Sequence, residues 1–170
     1  MITRWQEVWK SAPKTTYSTQ GRGVPFPVVW RGAEIWPFDG RVHCSGAVFA
    51  ATVEFMRRFT DQEEEISFEQ IEKLRRAAWV LDGVRSGLPL AMADLGLGVY
   101  SNERPEAGDI CQIWRANGTG HLFVCVGEER GRLLEWSASK SHLNGTGTKH
   151  LVGEPTEYHT FRFFPELMGA

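Results

Sequence analysis

The chain has 170 residues, of which 42% are hydrophobic and 24% are charged, and its formal net charge is −2. A chain of this length is expected to form one domain, residues 1–170, around a single sizeable core. The slightly acidic balance argues against a nucleic-acid-binding protein. No apolar run approaches the roughly 18 residues that a membrane span needs, so no membrane span is expected.

The N-terminal part, residues 1–43, is predicted to hold a helix followed by a long irregular segment. Apolar residues recur at helical spacing from Ile2 to Trp9, with Thr3 as the candidate cap. Residues 11–43 are rich in Gly, Pro, Ser and Thr, and loops of this length in compact domains are usually functional or disordered. Four aromatic residues in the segment make disorder the weaker choice.

Residues 44–98 are predicted to be helical. A helical pattern of apolar residues runs from Ser45 to Phe59. A second helix is expected to start at a capping box formed by Ser67 and Gln70 and to stop at Gly83. Its apolar stripe consists of Phe68, Ile71, Leu74, Ala78 and Leu81. A short third helix is expected over "PLAMADLG".

Residues 105–165 are predicted to form an antiparallel sheet, because the apolar period changes after Pro105 from about 3.6 to 2. Four strands are predicted, over "ICQIWR", "HLFVCVG", "RLLEWSA" and "YHTFRFF". The intervening "ANGTG" and "EERG" are typical of hairpin turns. Helices followed by an antiparallel sheet indicate an α+β fold in which the helices pack on the sheet.

The three cysteines, Cys44, Cys111 and Cys125, form neither a disulfide framework nor a zinc framework, because the number is odd and there is no CxxC pair. A single bridge between Cys111 and Cys125 stays open. Both lie in apolar, strand-like runs, which favours buried free thiols.

Cys44 has three interpretations: a metal ligand, a buried filler or a nucleophile. A helix N-terminus lowers the pKa of a thiol and leaves N–H groups free to bind a developing oxyanion. Ser45 and Gly46 are small and are expected to keep the approach to the thiol open. A metal site would need further ligands at spacings that the sequence does not offer. The position therefore favours a nucleophile for acyl transfer.

A cysteine nucleophile needs a base, and His121 is the best candidate. It follows a turn and begins an apolar strand, so a rigid element would fix its ring. Glu135, 135 − 121 = 14 residues later, is expected to be its cross-strand neighbour and to orient the imidazole. His43 is disfavoured as base because adjacent residues do not face each other. His159 shares an alternate strand face with phenylalanines, as a core histidine would.

The same residues carry a resemblance to a known family. "HCSGAVFA" resembles the D-C-S-G-x-V motif of the NlpC-type cell-wall peptidases and of their relatives, the CHAP amidases. "RPEAGDICQIW" resembles their x-P-G-D-I/L strand entry, and "GHLFVCVG" stands in the place of their G-H-V-G-I-V-x-G. "LLEWSAS" falls where relatives carry a third polar residue, a Glu or Asn in many CHAP members and often a His in NlpC-type members. The resemblance covers residues 40–140 in the family's order.

The resemblance implies a papain-like fold with the nucleophile at a helix N-terminus. It implies cleavage of amide bonds through a thioester, in the peptide part of bacterial peptidoglycan or at the sugar–peptide amide, without a metal or organic cofactor. Cys44 would attack, His121 would transfer the proton and Glu135 would orient the ring. His43 departs from the Asp that the family prefers.

Three further residues are candidates for substrate binding: Ser45, Tyr17 and Trp36. Tyr17 is the candidate counterpart of the family tyrosine near the substrate, although it lies 44 − 17 = 27 residues before Cys44, further than the family's usual lead-in. Trp36 is a candidate for the wall of a substrate groove, with packing in the core or at its rim as the alternative.

The first residues, "MITRWQEVWKSAP", lack the basic-then-apolar order of a secretory signal. The expectations are a cytoplasmic protein, export by a non-Sec route, or numbering from a trimmed form. Type VI-secreted amidase effectors share the family fold and lack such signals, which makes an antibacterial effector with an inhibitory (immunity) partner one expectation. Two rival functions stay open: a catalytically inactive binding module on the same fold, and a thiol acyltransferase or hydrolase acting on lipid or protein acyl groups.

Overall fold

The computed structural model describes residues 1–10 and 12–168. Ser11, the first residue of the predicted irregular segment, and the last two residues of the predicted domain lie outside this description. The described residues form four α-helices: α1 (Ile2–Trp9), α2 (Cys44–Phe59), α3 (Phe68–Ala78) and α4 (Gly87–Asp94). A short 3-10 helix covers Pro165–Met168.

Ten β-strands occur in the same part of the chain: β1 (Thr16–Tyr17), β2 (Val28–Trp30), β3 (Ala33–Trp36), β4 (Arg41–Val42), β5 (Gly98–Ser101), β6 (Ile110–Trp114), β7 (Gly120–Glu129), β8 (Arg132–Ala138), β9 (Thr146–His150) and β10 (Glu157–Phe163). Six of them form one antiparallel sheet in the order β5-β10-β6-β7-β8-β9. β1 pairs in parallel with β4, and β2 pairs with β3. The α+β class expected from the sequence is confirmed.

Helix α2 lies at the centre of the molecule and is buried along most of its length. It packs on β7 and β8 and is flanked by α1 and α3. Large aromatic rings pack between these elements: Trp5 stacks on Phe55 with 4.3 Å between ring centroids, and Phe55 stacks on Phe163 with 5.0 Å between ring centroids. Because fully buried aromatic side chains contribute strongly to core stability, these contacts fix the helix on the sheet.

The first turn of α2 is pressed against the preceding loop at Gly46. A Cβ at position 46 would lie 1.8 Å from the carbonyl oxygen of Gly23, so this site excludes any side chain. The same oxygen accepts a hydrogen bond from the N–H of His43 at 3.3 Å. Gly46 is therefore needed for packing of the chain, a role that the sequence analysis did not predict.

Several predicted boundaries differ from the structure. Helix α1 begins after Met1, without a side-chain cap from Thr3. Helix α3 ends at Ala78, because the chain turns at Val80, whose φ is +53°, before it reaches Gly83.

Two members of the predicted apolar stripe on α3 are not in the core. Phe68 is 45% exposed and Leu81 is 52% exposed, whereas Ile71, Leu74 and Ala78 are buried. The segment over residues 12–43 is also more ordered than predicted, since it carries β1 to β4.

The three cysteines carry free, buried thiols. Cys111 and Cys125 lie on the face of the sheet that points away from α2, in a small apolar cluster with Phe123 and Leu133. The interpretation of these two as free buried thiols, rather than a disulfide, is confirmed. Among the described residues, no helix combines the length and apolar character needed to cross a bilayer.

Candidate active site

Cys44 occupies the first position of α2, as the sequence predicted, and only 7% of its surface is exposed. The preceding residue, His43, has extended backbone angles (φ −123°, ψ 158°) and is the N-cap. The first N–H groups of a helix have no intrahelical acceptor, and they form the positive end of the helix dipole. The thiol therefore lies in a field that favours its thiolate.

His121 lies at the start of β7, where the strand leaves its turn. The residue before it must be small, because a Cβ on Gly120 would lie 2.8 Å from the ring of Trp114. The imidazole stacks on Phe123, with 5.7 Å between ring centroids and 25° between the planes. The predicted fixing of the ring by a rigid strand agrees with this placement.

Glu135 on β8 holds the imidazole through a short contact: its Oε2 lies 2.5 Å from Nε2 of His121. The carboxylate is almost fully buried, with 1% of its surface exposed. Ser137 supports the pair, since its Oγ lies 3.3 Å from both of these atoms. The sequence predicted that His121 and Glu135 are cross-strand neighbours. They lie on adjacent strands but are not directly opposite each other, because Glu135 is the register partner of Cys125. Their side chains meet diagonally across the sheet.

A second cation completes the surroundings of Glu135. Lys149 is its register partner on the other side, on β9, and the Lys149 ammonium lies 3.8 Å from Oε1 of the carboxylate. The same ammonium donates to Oγ of Ser139 at 2.7 Å. Sequence reasoning missed this residue because "TGTKH" has no apolar alternation that would indicate a strand.

The charges of this cluster set the ionisation of the thiol. Burial opposes ionisation of Cys44, but hydrogen bonds and positive charge from His121 and His43 outweigh it and hold the pKa of the thiol well below its usual range. Burial likewise opposes a charged imidazole, yet hydrogen bonds to Cys44 and Glu135 raise the pKa of His121 to about 9. Both shifts favour a thiolate and an imidazolium over a neutral thiol and a neutral imidazole.

The pKa values of the other two thiols are shifted in the opposite direction. Burial raises the pKa of Cys111 far above its ordinary value and that of Cys125 to about 11. Both therefore stay protonated at neutral pH. Low thiol pKa is thus a local property of Cys44, produced by its neighbours rather than by the chain as a whole.

His43 lies closer to the thiol than the sequence argument allowed. Its Nδ1 and Nε2 are 3.7 and 3.8 Å from Sγ of Cys44. The expectation that adjacent residues would not face each other is wrong here, because His43 is an extended N-cap rather than a helical residue. Its Nδ1 accepts a hydrogen bond from the N–H of Ser45 at 3.4 Å. Among the described residues no carboxylate lies within 4 Å of it, in contrast to His121.

Cys44 and His121 open into one cavity of about 280 Å³, called here the thiol cavity. Two predicted substrate-binding residues line it, Ser45 and Tyr17, with Tyr17 brought there by the pairing of β1 with β4. Trp36 does not line it. Trp36 stacks instead on Trp79, with 5.8 Å between the ring centroids, and it is Trp79 that forms part of the wall of the thiol cavity.

Trp79 and Gln112 are among the lining residues that the sequence analysis did not predict. Each looks like an ordinary member of a helix or strand, and neither stands in a recognisable motif. Their role depends on where α3 and β6 end relative to Cys44, which local sequence does not encode.

No family model, curated protein or solved structure matches the chain. The chemistry of the site must therefore be inferred from its own groups. These are an ionisable thiol at a helix N-terminus, an imidazole that lines the same cavity, and a buried carboxylate that orients this imidazole. Such a set is suited to acyl transfer through a covalent intermediate.

Proposed function

We propose that the protein is a cysteine amidase or peptidase with a papain-like fold, cleaving an amide bond through a thioester. One observation carries the proposal: Cys44, at the N-terminus of α2, lines the same cavity as the imidazole of His121, which is held at 2.5 Å by the buried carboxylate of Glu135. The lowered pKa of the Cys44 thiol and the raised pKa of His121 support it. Glu135 engages Nε2, which leaves Nδ1 as the atom that exchanges a proton with the sulfur.

The reaction has two stages. In the first, the Cys44 thiolate attacks the amide carbon, the C–N bond breaks, and the imidazolium of His121 gives its proton to the departing amine. The acyl group then remains on sulfur as a thioester. In the second stage, neutral His121 takes a proton from water as the water attacks the thioester. The C–S bond breaks, a carboxylic acid leaves, and the thiolate is regenerated.

The oxyanion formed in each stage needs hydrogen-bond donors. We propose the backbone N–H of Cys44, since the N–H of Ser45 is directed to His43 at 3.4 Å. Gln112 supplies a second donor. Its Nε2 gives one hydrogen to the carbonyl of Ile113 at 3.1 Å, and an amide nitrogen carries two.

The proposed substrate is the peptide part of bacterial peptidoglycan. Its support is the order of motifs along the chain, in which Cys44, His121 and Glu135 take the places of the nucleophile, base and orienting residue of the NlpC-type and CHAP enzymes. The long resemblance over residues 40–140 also supports the papain-like arrangement of a cysteine-bearing helix on an antiparallel sheet. An antibacterial effector held in check by an inhibitory protein is one form that such an enzyme takes.

Digestion of purified peptidoglycan, read by mass spectrometry of the soluble products, tests the proposal. The wild-type protein is expected to release fragments that carry one new carboxyl group and one new amine. Cys44→Ala is expected to release none, while Cys125→Ala, which removes another buried thiol, retains activity. No product from the wild type would contradict a wall substrate, and activity retained in Cys44→Ala would contradict the mechanism.

A further inference from the structure

A second cavity, of about 250 Å³, adjoins the thiol cavity. It shares His121 and Tyr17 with the thiol cavity but does not include Cys44. We call it the basic cavity, after the ionisable residues in its wall: Tyr17, Arg115, His121, Glu135, Lys140 and Lys149. The proposed base thus stands between the two cavities, with the nucleophile on one side only.

The basic cavity has an excess of positive charge. Its wall carries three cationic side chains, Arg115, Lys140 and Lys149, and a single carboxylate, that of Glu135. This carboxylate is 1% exposed and is already engaged by His121 and Lys149. Within the described part of the chain, no carboxylate lies within 4 Å of the charged groups of Arg115 or Lys140. Their charge is therefore available to a ligand.

Two of the three cations are held in place. Arg115 donates through Nε and Nη2 to the carbonyl of Val152, at 3.1 and 2.7 Å, which leaves its remaining N–H groups free of that contact. The Lys149 ammonium donates to Oγ of Ser139 at 2.7 Å and of Ser141 at 3.3 Å. Fixed donors lose less side-chain entropy when they bind an anion.

The direction of the proposed reaction decides which half of a substrate would enter the basic cavity. This step rests on the proposed function. After attack the acyl half stays bonded to Cys44, while the amine half receives its proton from His121. The amine half therefore leaves beside His121, the residue that the basic cavity shares with the thiol cavity.

We infer that the basic cavity binds a carboxylate on the amine half of the substrate, next to the amide bond that is cleaved. Arg115 and Lys140 are the specificity-determining residues, because they supply charge that no protein carboxylate neutralises. Lys149 contributes to the same field but also contacts Glu135, so it is not suitable as a clean test. A charge-assisted hydrogen bond to a fixed cation is among the stronger polar contacts that a site can offer.

Binding rather than turnover decides the inference. The probes are stem peptides prepared from peptidoglycan, with their carboxyl groups either free or chemically converted to carboxamides. Titration calorimetry with Cys44→Ala protein, which cannot form a thioester, is expected to give about tenfold tighter binding of the free-carboxylate peptides. The additional change Arg115→Gln with Lys140→Gln is expected to remove this preference without weakening the carboxamide complex. Lys10→Gln, at an exposed lysine after α1, is the matched control and should keep the preference.

Steady-state kinetics of cleavage then distinguish carboxylate binding in the basic cavity from the proposed amidase activity. The wild type is expected to cleave the free-carboxylate peptides with the lower KM, and the double glutamine variant is expected to raise that KM with little change in kcat. Equal binding of both peptide forms would overturn the inference while leaving Cys44-dependent cleavage intact. A binding preference that depends on Arg115 and Lys140, together with no cleavage by the wild type, would sustain the site and overturn the amidase.

Discussion

The carboxylate of Glu135 lies 2.5 Å from Nε2 of His121, although Glu135 stands opposite a residue four positions further along β7. The contact is made by two side chains that lean towards each other on one face of the sheet. Glu135 is itself held by Lys149 at 3.8 Å. A buried carboxylate in this position fixes the tautomer of the imidazole and favours its charged form, as the proposed proton transfer between His121 and Cys44 requires.

Glu135→Gln removes the charge that helps to raise the pKa of His121. The amide keeps a hydrogen-bonding group near Nε2, so the fold should persist, but the imidazolium loses its stabilising partner. We expect amidase activity to fall by about tenfold to a hundredfold and its upper pH limit to move below about 9. Activity measured across pH on purified peptidoglycan checks both effects.

Glu129→Gln is the matched control for this change. Glu129 lies 3.0 Å from His150, also as a histidine–carboxylate pair, but on the exposed end of the hairpin. Its loss should leave activity and pH profile unchanged. An upper limit that stays near pH 9 in Glu135→Gln would contradict the role given to the carboxylate.

The two imidazoles beside the thiol are expected to differ in importance. His121→Ala removes the proposed proton carrier and should lower activity by about 10²- to 10⁴-fold. His43→Asn keeps an N-cap acceptor for the N–H of Ser45 and removes only one of the groups that lower the thiol pKa. We expect the fold-loss of activity in His43→Asn to be less than about a tenth of the fold-loss in His121→Ala. If the two variants were equally impaired, His43 would have to share the role of base.

The activity of the wild type should depend on pH in two directions. Because the pKa of Cys44 is held well below its usual range, the thiolate forms, and activity rises, at a pH well below that of an ordinary thiol. Because the pKa of His121 is about 9, the imidazolium that protonates the amine is lost, and activity falls, near pH 9. A bell-shaped profile of kcat/KM is expected. A rate that climbs steadily through pH 9 would indicate an unperturbed thiol.

Gly46→Ala is expected to disturb the start of α2. The added Cβ would lie 1.8 Å from the carbonyl oxygen of Gly23 and 2.8 Å from its carbon, so the loop or the helix must shift. Overpacking of this kind costs about 1–3 kcal/mol of unfolding free energy, more than the better helix propensity of alanine returns. Denaturant unfolding measures the loss. Ser45→Ala, which adds no Cβ, is the control, and a Gly46→Ala protein as stable as the wild type would contradict the close contact.

Much of the framework was accessible from sequence because it is encoded locally. The 3.6-residue and two-residue apolar periods predicted α2, α3 and the strands β6, β7, β8 and β10. The same local signals located the thiol at a helix start and His121 at a strand start. The helix dipole at Cys44 and the strand that carries His121 were therefore predictable without tertiary information.

The features of the site that the sequence did not predict depend on pairing between strands that are distant along the chain. Tyr17 reaches the thiol cavity because β1 pairs with β4, immediately before α2, and nothing near Tyr17 in sequence indicates this. Lys149 reaches Glu135 through β9, whose glycine and polar residues hide the strand. The diagonal meeting of His121 and Glu135 follows from the twist and register of the sheet, which the spacing of 14 residues does not determine.

Alkylation of the native protein by iodoacetamide at neutral pH, followed by peptide mapping, measures the reactivity of the Cys44 thiol without any substrate. We expect rapid, stoichiometric modification of Cys44, much slower modification of Cys111 and Cys125, and a clear slowing at Cys44 in His121→Ala. A Cys44 that reacts no faster than the two buried thiols, or as fast without His121 as with it, would contradict an activated nucleophile at this site.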